Sequence, residues 1–201
     1  AVRTSSVPLV APDGRTLYVS GGESRAGHVI VRALDRDRTT TLAGVRNPAR
    51  PFLSPDGRWL GFTDQGQGRM FKVPSSGGAP VPITPARWGG ASWGRDGTIV
   101  FAERYNAGLS RVSQEGGPVT LLTHPDTTRG ELGHWWPHFL PDGRHVLFCA
   151  YATPLDRARI EALDLETGKR TVIVEGGLMP RYVGSGHLLY ARNGTLMAVP
   201  F

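Results

Sequence analysis

Short apolar runs separated by polar, glycine-rich segments recur along the whole chain. In the clearest stretch, residues 51–53, 59–63, 70–73 and 81–84 form runs that are rich in apolar, aromatic and β-branched residues and too short for typical helices. The segments between them are rich in Gly, Ser, Asp and Gln, as turns and loops are. The pattern predicts four antiparallel strands joined by tight turns.

The turn that precedes the second strand of this unit returns at regular intervals. An Asp-Gly pair begins at Asp13, Asp56, Asp96 and Asp142, and a degenerate copy stands at Ser185, so the repeat measures 40 to 46 residues. A four-stranded repeat of this length is the signature of a β-propeller blade. The sequence therefore predicts an all-β fold, a β-propeller of four-stranded antiparallel blades with five blades visible.

The predicted blades cover residues 7–43, 50–84, 90–123, 136–174 and 180–201. Because a blade buries its faces only against neighbouring blades, residues 1–201 are predicted to form a single domain. The last blade lacks its outer strand. Residues 1–6 could supply that strand and close the propeller, and the alternative is a propeller truncated from a larger one.

Charge and composition argue against nucleic-acid binding and against membrane insertion. The net charge is +6, but the arginines are spread along the chain and form no basic stripe, which disfavours nucleic acid as a partner. No apolar run approaches the roughly 18 residues that span a bilayer, so we expect no membrane insertion by this chain. The single cysteine, Cys149, lies in an apolar run and is predicted to be a buried small hydrophobe.

Several segments resemble a known family. Residues 54–62 (SPDGRWLGF), 90–101, 139–148 (FLPDGRHVLF) and 186–201 look like the TolB-type relatives of WD-repeat propellers. The string WPHFLPDG at 136–143 and the ending of the chain are most similar to the propeller of bacterial serine/threonine protein kinases. The resemblance implies an extracytoplasmic (periplasmic or cell-surface) sensing or protein-binding module in a larger signalling protein. The chain itself carries no kinase catalytic loop, DFG triplet or phosphate-covering glycine loop.

Motifs that could carry catalysis are weak. The letters around Ser92 match the G-x-S-x-G motif of hydrolases, but Asp96 and Gly97 open a β-turn where the motif needs a helix. His134 and His138 have zinc-like spacing, yet Pro137 argues against a helix and no third ligand is near. The aspartates of the repeated turns are expected to accept backbone N–H bonds locally. We therefore expect no catalytic residues, no metal and no cofactor.

The connections between blades are the best candidates for binding, because loops on a rigid scaffold often carry function. Blade periodicity predicts that they lie around one mouth of a central channel, and Trp and Arg are favoured interface anchors. The candidate ligand- or partner-binding residues are Asn47, Arg50, Arg87, Trp88, Arg129, Glu131, His134, Trp135 and Arg181. The alternative for the tryptophans is that they cap the core.

These patterns lead to three hypotheses about function. The leading one is a non-catalytic binding or sensor module for a protein or peptide. The second is a propeller enzyme, lactonase-like or peptidase-associated, which would need a convergent ionisable cluster or a metal. The third is an oligomer in which an open propeller is completed between chains.

Overall fold

The structure is a computed structural model that describes residues 8–21, 27–87 and 90–201. Its described part contains nineteen strands and two short 3-10 turns, Thr127–Arg129 and Leu155–Arg157. The strands are β1 (Leu9–Val10), β2 (Thr16–Gly21), β3 (His28–Ala33), β4 (Arg38–Thr41), β5 (Pro48–Leu53), β6 (Trp59–Asp64), β7 (Arg69–Pro74), β8 (Val81–Pro85), β9 (Ala91–Trp93), β10 (Thr98–Ala102), β11 (Leu109–Ser113), β12 (Thr120–Leu121), β13 (Glu131–Phe139), β14 (His145–Ala152), β15 (Arg159–Asp164), β16 (Arg170–Glu175), β17 (Leu178–Val183), β18 (His187–Arg192) and β19 (Thr195–Pro200). No helix among these residues is long and apolar enough to span a bilayer.

The strands pair into five antiparallel sheets, which we number as blades 1 to 5 in chain order. Blades 1 to 4 have four strands each, and blade 5 has the three strands β17, β18 and β19. In every sheet the strands pair in the order in which they occur along the chain. The all-β propeller fold predicted from the repeat is confirmed. The proposed closing strand at residues 1–6 lies outside the described residues.

Residue contacts divide the chain into two compact units. The first comprises Ala1–Arg87 and Ser113–Pro118, and its core joins Tyr18 and Val29 of blade 1 to Leu60, Phe62 and Val73 of blade 2. The second comprises Trp88–Val112 and Val119–Phe201. The division leaves the prediction of a single domain untested.

The second unit has two apolar clusters, one on each side of blade 4. The first joins Val100 and Leu109 of blade 3 to Phe148. The second joins Leu147 and Ile160 of blade 4 to residues of blade 5. Side chains alternate across a strand, so β14 can fill both clusters and is almost entirely buried. Cys149 in this strand is fully buried, as predicted.

The repeated turns have the predicted local chemistry. The carboxylates of Asp13, Asp56, Asp96 and Asp142 each accept a hydrogen bond from the backbone N–H two residues later, at 2.9 to 3.0 Å. Gly57, which closes the turn of blade 2, has φ +70°, a conformation that glycine adopts without steric cost. Because these bonds join residues only two positions apart, the turn can be predicted from the local sequence.

A left-handed residue recurs in the first strand of three blades. Arg50, Trp136 and Met179 have φ of +48°, +54° and +55°, and each stands directly before a proline and inside a β-bulge. Such a backbone costs roughly 1–3 kcal/mol at a residue other than glycine and persists only where the surroundings enforce it. Bulges re-aim side chains, so this position sets the direction of the residues that follow it.

Several strands begin at residues other than those predicted from the sequence. Part of the connection predicted between residues 123 and 136 belongs to β13, which begins at Glu131. Arg50 and Arg181, also predicted to lie in connections, are inside strands. Two register shifts in β13 break the alternation of polar and apolar residues that marks a strand. A 3-10 turn, Leu155–Arg157, precedes β15, which begins at Arg159.

Candidate binding surface and its buried support

Two arginines and two glutamates form a closed ring of ion pairs in blade 4. Arg159 and Arg170 both donate to Oε1 of Glu131, Arg170 at 2.9 Å. The same two arginines donate from Nε to the two oxygens of Glu161, at 3.2 and 2.7 Å. We call these four residues the charge ring. Its formal charges cancel, which is the condition under which buried ions are tolerated.

The charge ring is buried in spite of its polarity. The side chains of Glu131, Glu161 and Arg159 are 0%, 2% and 7% exposed, and Arg170, at 23%, is the most exposed of the four. The Arg170 guanidinium also lies 5.5 Å from the centre of the Phe148 ring, a cation–π contact. Each arginine bridges both glutamates, so the loss of one member leaves its partners charged and buried.

A chain of hydrogen bonds extends from the charge ring into blade 3. Glu131 Oε2 lies 2.9 Å from His134 Nε2, and His134 Nδ1 lies 2.6 Å from Thr123 Oγ1. Since a carboxylate only accepts, Nε2 carries the proton, and the threonine hydroxyl donates to Nδ1. The same hydroxyl accepts from the Leu109 N–H at 2.8 Å, and Glu131 Oε2 also accepts from the Asp126 N–H.

Burial and hydrogen bonding oppose each other in setting the charge of these groups. Burial alone would raise the pKa of Glu131, but the bonds from His134, the Asp126 backbone and Arg170 outweigh it and hold that pKa at about 2. Burial lowers the pKa of His134, and the glutamate offsets this only in part. Glu131 is therefore ionised and His134 neutral at pH 7.

The Thr–His–Glu order resembles the relay of a hydrolase, but its surroundings differ. The side chains of His134 and Glu131 have no exposed surface, and Thr123 is buried. Each of the three side chains already has its hydrogen-bond partners within the protein. What this arrangement can do chemically is hold the start of β13 against blade 3.

Ser92, from the hydrolase-like motif, lies in β9 and is followed by a β-turn. Its Oγ accepts a hydrogen bond from the Phe139 N–H at 3.0 Å. The serine therefore joins the first strands of two neighbouring blades and lacks the strand-to-helix setting of a nucleophile elbow.

An aromatic cluster includes two residues of β13, the strand that also carries Glu131. Tyr151 stacks on Trp135 with ring centres 3.8 Å apart. The ring centres of Tyr105 and Trp136 lie 4.7 and 5.3 Å from that of Trp135, and Trp136 contacts Trp135 edge-on. The Trp135 indole N–H donates to the Tyr105 backbone carbonyl at 2.8 Å. We call these four residues the aromatic patch.

The aromatic patch has a buried centre and an accessible rim. Trp135 is buried, Trp136 and Tyr151 are half-buried, and Tyr105 is 46% exposed. A side chain at Gly133 would clash, because its Cβ would lie 2.2 Å from the Tyr105 carbonyl oxygen. Gly133 thus lets the backbone of β13 approach Tyr105 closely, and the rings of Tyr105, Trp136 and Tyr151 keep part of their surface accessible.

The predicted binding residues separate into groups. In the second unit, Glu131 and His134 lie in the buried network, Trp135 forms the centre of the aromatic patch, and Arg129 is exposed at the end of its 3-10 turn. In the first unit, Asn47 directly precedes β5, Arg50 lies inside it, and exposed Arg87 lies over Gly68. Trp88 lies outside the described residues. Their role in binding stays a prediction.

Sequence reasoning missed five residues of these clusters. They are Tyr105, Tyr151, Arg159, Glu161 and Arg170. One signal was available, since Arg159 and Glu161 alternate with apolar residues in a strand that the repeat predicts to be internal. Charges at such positions are buried only when they are paired, which points to partners elsewhere in the blade.

Solved structures with the same fold include two TolB proteins. The TolB of Acinetobacter baumannii gives a TM-score of 0.79 at 17% identity, over 96% of this chain and 51% of that one. The structure of a putative TolB of Agrobacterium tumefaciens gives 0.73 at 20% identity, over 92% and 68%. This chain has the TolB-like propeller fold. A chain of a nidogen–laminin complex is also similar, with a TM-score of 0.69 at 15% identity over 92% and 72%.

Sequence comparison finds a relative among the curated proteins. The chain is 29% identical over 163 residues to the uncharacterized peptidase YuxL of Bacillus subtilis (strain 168). The match covers 78% of this chain but only 23% of that protein, so the chain spans about a quarter of the relative's length. No family model matches the chain.

Proposed function

We propose that this TolB-like propeller is a non-catalytic binding module that recognises a protein or peptide through the rim of the aromatic patch. The observation that carries the proposal is the arrangement of Tyr105, Trp136 and Tyr151 around buried Trp135. Rigid aromatic side chains give large contact areas at low cost in conformational entropy and are enriched at binding hot spots. The charge ring supports them by fixing the strand that carries both tryptophans.

The fold comparisons agree with a binding role at a coarse level, because one similar structure is that of a nidogen–laminin complex. We further propose an extracytoplasmic location and membership of a larger signalling protein, such as a serine/threonine kinase. That part rests on the sequence resemblance described above. The sequence encoded next to this propeller in its gene tests it, since a kinase domain with a membrane span is expected there.

A propeller that serves an enzyme is the second candidate, because the curated relative is named as a peptidase. In that case the chemistry would belong to the part of the protein outside the matched 163 residues, and this chain would select substrates. Assays of this chain alone against peptide and lactone substrates separate the candidates. Turnover that depends on Ser92 or His134 would overturn the non-catalytic proposal.

The aromatic patch is tested with a peptide selected on this chain from a random phage-displayed library. We expect Tyr105→Ala and Trp136→Ala each to weaken its binding by about 2 kcal/mol, or roughly thirtyfold, as for hot-spot aromatics. The measurement is a Kd from titration calorimetry.

Phe201→Ala is the matched control, because Phe201 is 45% exposed, close to the 46% of Tyr105, and belongs to blade 5. It should leave the Kd within about twofold. Selected peptides that bind the wild type and both patch variants equally would refute the aromatic patch as the binding surface.

A further inference from the structure

A polar row crosses the first strands of blades 3, 4 and 5. Ser92, His138 and Arg181 each stand two positions after a residue with positive φ. That residue is Gly90, directly before β9, in blade 3, Trp136 in blade 4 and Met179 in blade 5. Ser92, His138 and Arg181 lie in β9, β13 and β17, all within the second unit. The three residues thus occupy corresponding positions in their blades, and in blades 4 and 5 a β-bulge precedes them.

Two members of the row bond to the backbone of the following blade. Ser92 Oγ accepts from the Phe139 N–H at 3.0 Å, and His138 Nε2 lies 3.2 Å from the Tyr182 carbonyl oxygen. Since a carbonyl only accepts, His138 Nε2 donates, and Nδ1 of the neutral ring is left as an acceptor. Burial and the neighbouring Arg181 charge lower the pKa of His138 to about 4, so the ring is neutral at pH 7.

Arg181 ends the row with a different pattern of contacts. Its Nη1 donates to the Pro180 carbonyl at 3.1 Å, and no carboxylate of residues 8–21, 27–87 or 90–201 forms an ion pair with it. The side chain is half-buried, and burial lowers its pKa. A guanidinium has five N–H donors, so most of this fork is available to a ligand.

We propose that Arg181 and His138 form a subsite for the terminal carboxylate of a peptide ligand. The planar fork of Arg181 matches a carboxylate in a bidentate manner, and His138 Nδ1 accepts the amide N–H that precedes a peptide's terminal carboxylate. A carboxylate ligand would also supply the negatively charged partner that Arg181 lacks among the described residues. The inference deepens the proposed binding function and rests on it.

The test uses small probes and the intact chain. N-acetylglycine carries a carboxylate beside an amide N–H, and N-acetylglycinamide differs only in lacking the charge. Nitrogen-15 NMR follows the Arg181 Nε–H and the His138 imidazole while each probe is added. We expect saturable shifts of both groups with N-acetylglycine and none with the amide.

Variants assign the effect to the subsite. Arg181→Gln should weaken N-acetylglycine binding by about tenfold or more, as expected for lost bonds to a charged group. Arg192→Gln, an exposed arginine of the same blade, should leave it unchanged. Should Arg181→Gln not fold, Arg181→Lys retains the charge without the fork and should weaken binding severalfold.

Other outcomes would overturn the proposal. Shifts that are absent, or unchanged in the Arg181 variants, would exclude the subsite. Inorganic phosphate binding more tightly than N-acetylglycine would replace the carboxylate by a phosphate ligand, and acetate binding as tightly would remove the role of His138. The subsite and the aromatic patch share no residue, so failure here leaves the Tyr105 and Trp136 test standing.

Discussion

Replacing Glu131 by alanine should lower the free energy of unfolding by about 3–5 kcal/mol, as expected when one partner of a buried ionic network is removed. Glu131 accepts from Arg159, Arg170, His134 and the Asp126 N–H, and its side chain has no exposed surface. Without it, two arginines face a single carboxylate inside the blade. Urea denaturation at pH 7 followed by circular dichroism gives the free-energy difference.

The matched control is Glu166→Ala. Glu166 pairs with Arg144 at 2.7 Å, but its side chain is 69% exposed, so its loss should cost no more than about 1 kcal/mol. A loss below about 1 kcal/mol for Glu131→Ala would show that the charge ring does not hold blade 4 together.

Acidification should lower the free energy of unfolding by an amount comparable to the loss expected for Glu131→Ala. The pKa of Glu131 is about 2 in the folded protein against 4.5 as the ordinary value. The unfolded chain therefore binds the proton first, and stability falls as the pH drops from about 5 towards 2. A difference of this size corresponds to about 3 kcal/mol.

Two histidines should start the decline earlier. Burial lowers the pKa of both His134 and His138, so the unfolded state takes up their protons from about pH 6.5 downwards, before the folded state does. Urea denaturation at pH 7, 5 and 3 measures the free energy of unfolding across both pH ranges. His138→Gln should reduce the dependence of this free energy on pH above pH 5, and Glu131→Gln should reduce it below pH 5. Stability that is constant between pH 7 and pH 3 would contradict the assignment.

The blades were predictable because their turns are specified locally. At Asp56 the carboxylate, the glycine that follows and the strand beginning at Trp59 all lie within four residues of sequence. Local hydrogen bonds and backbone preferences decide such a corner, and they depend little on distant residues. Repetition of this turn then identifies the fold.

The start of β13 was not predictable in the same way. Its bulges at Gly133 and Trp136 remove the alternation that marks a strand. The partners that fix it are distant in sequence, since Glu131 contacts Arg170, 39 residues later, and Trp135 bonds to the carbonyl of Tyr105, 30 residues earlier. Pairings of this range are decided by the packed blades, and the local sequence around Glu131 and Trp135 does not specify them.

Cys149 has a practical consequence. Its thiol is enclosed in β14, where it faces the Gly177 carbonyl at 3.7 Å and burial raises its pKa. Thiolates, not thiols, react with maleimides and iodoacetamides, so this cysteine will remain unmodified while the protein stays folded. Because it is the sole cysteine of the chain, a second one introduced on any blade rim can be labelled selectively with a fluorophore or spin label without first removing the natural thiol.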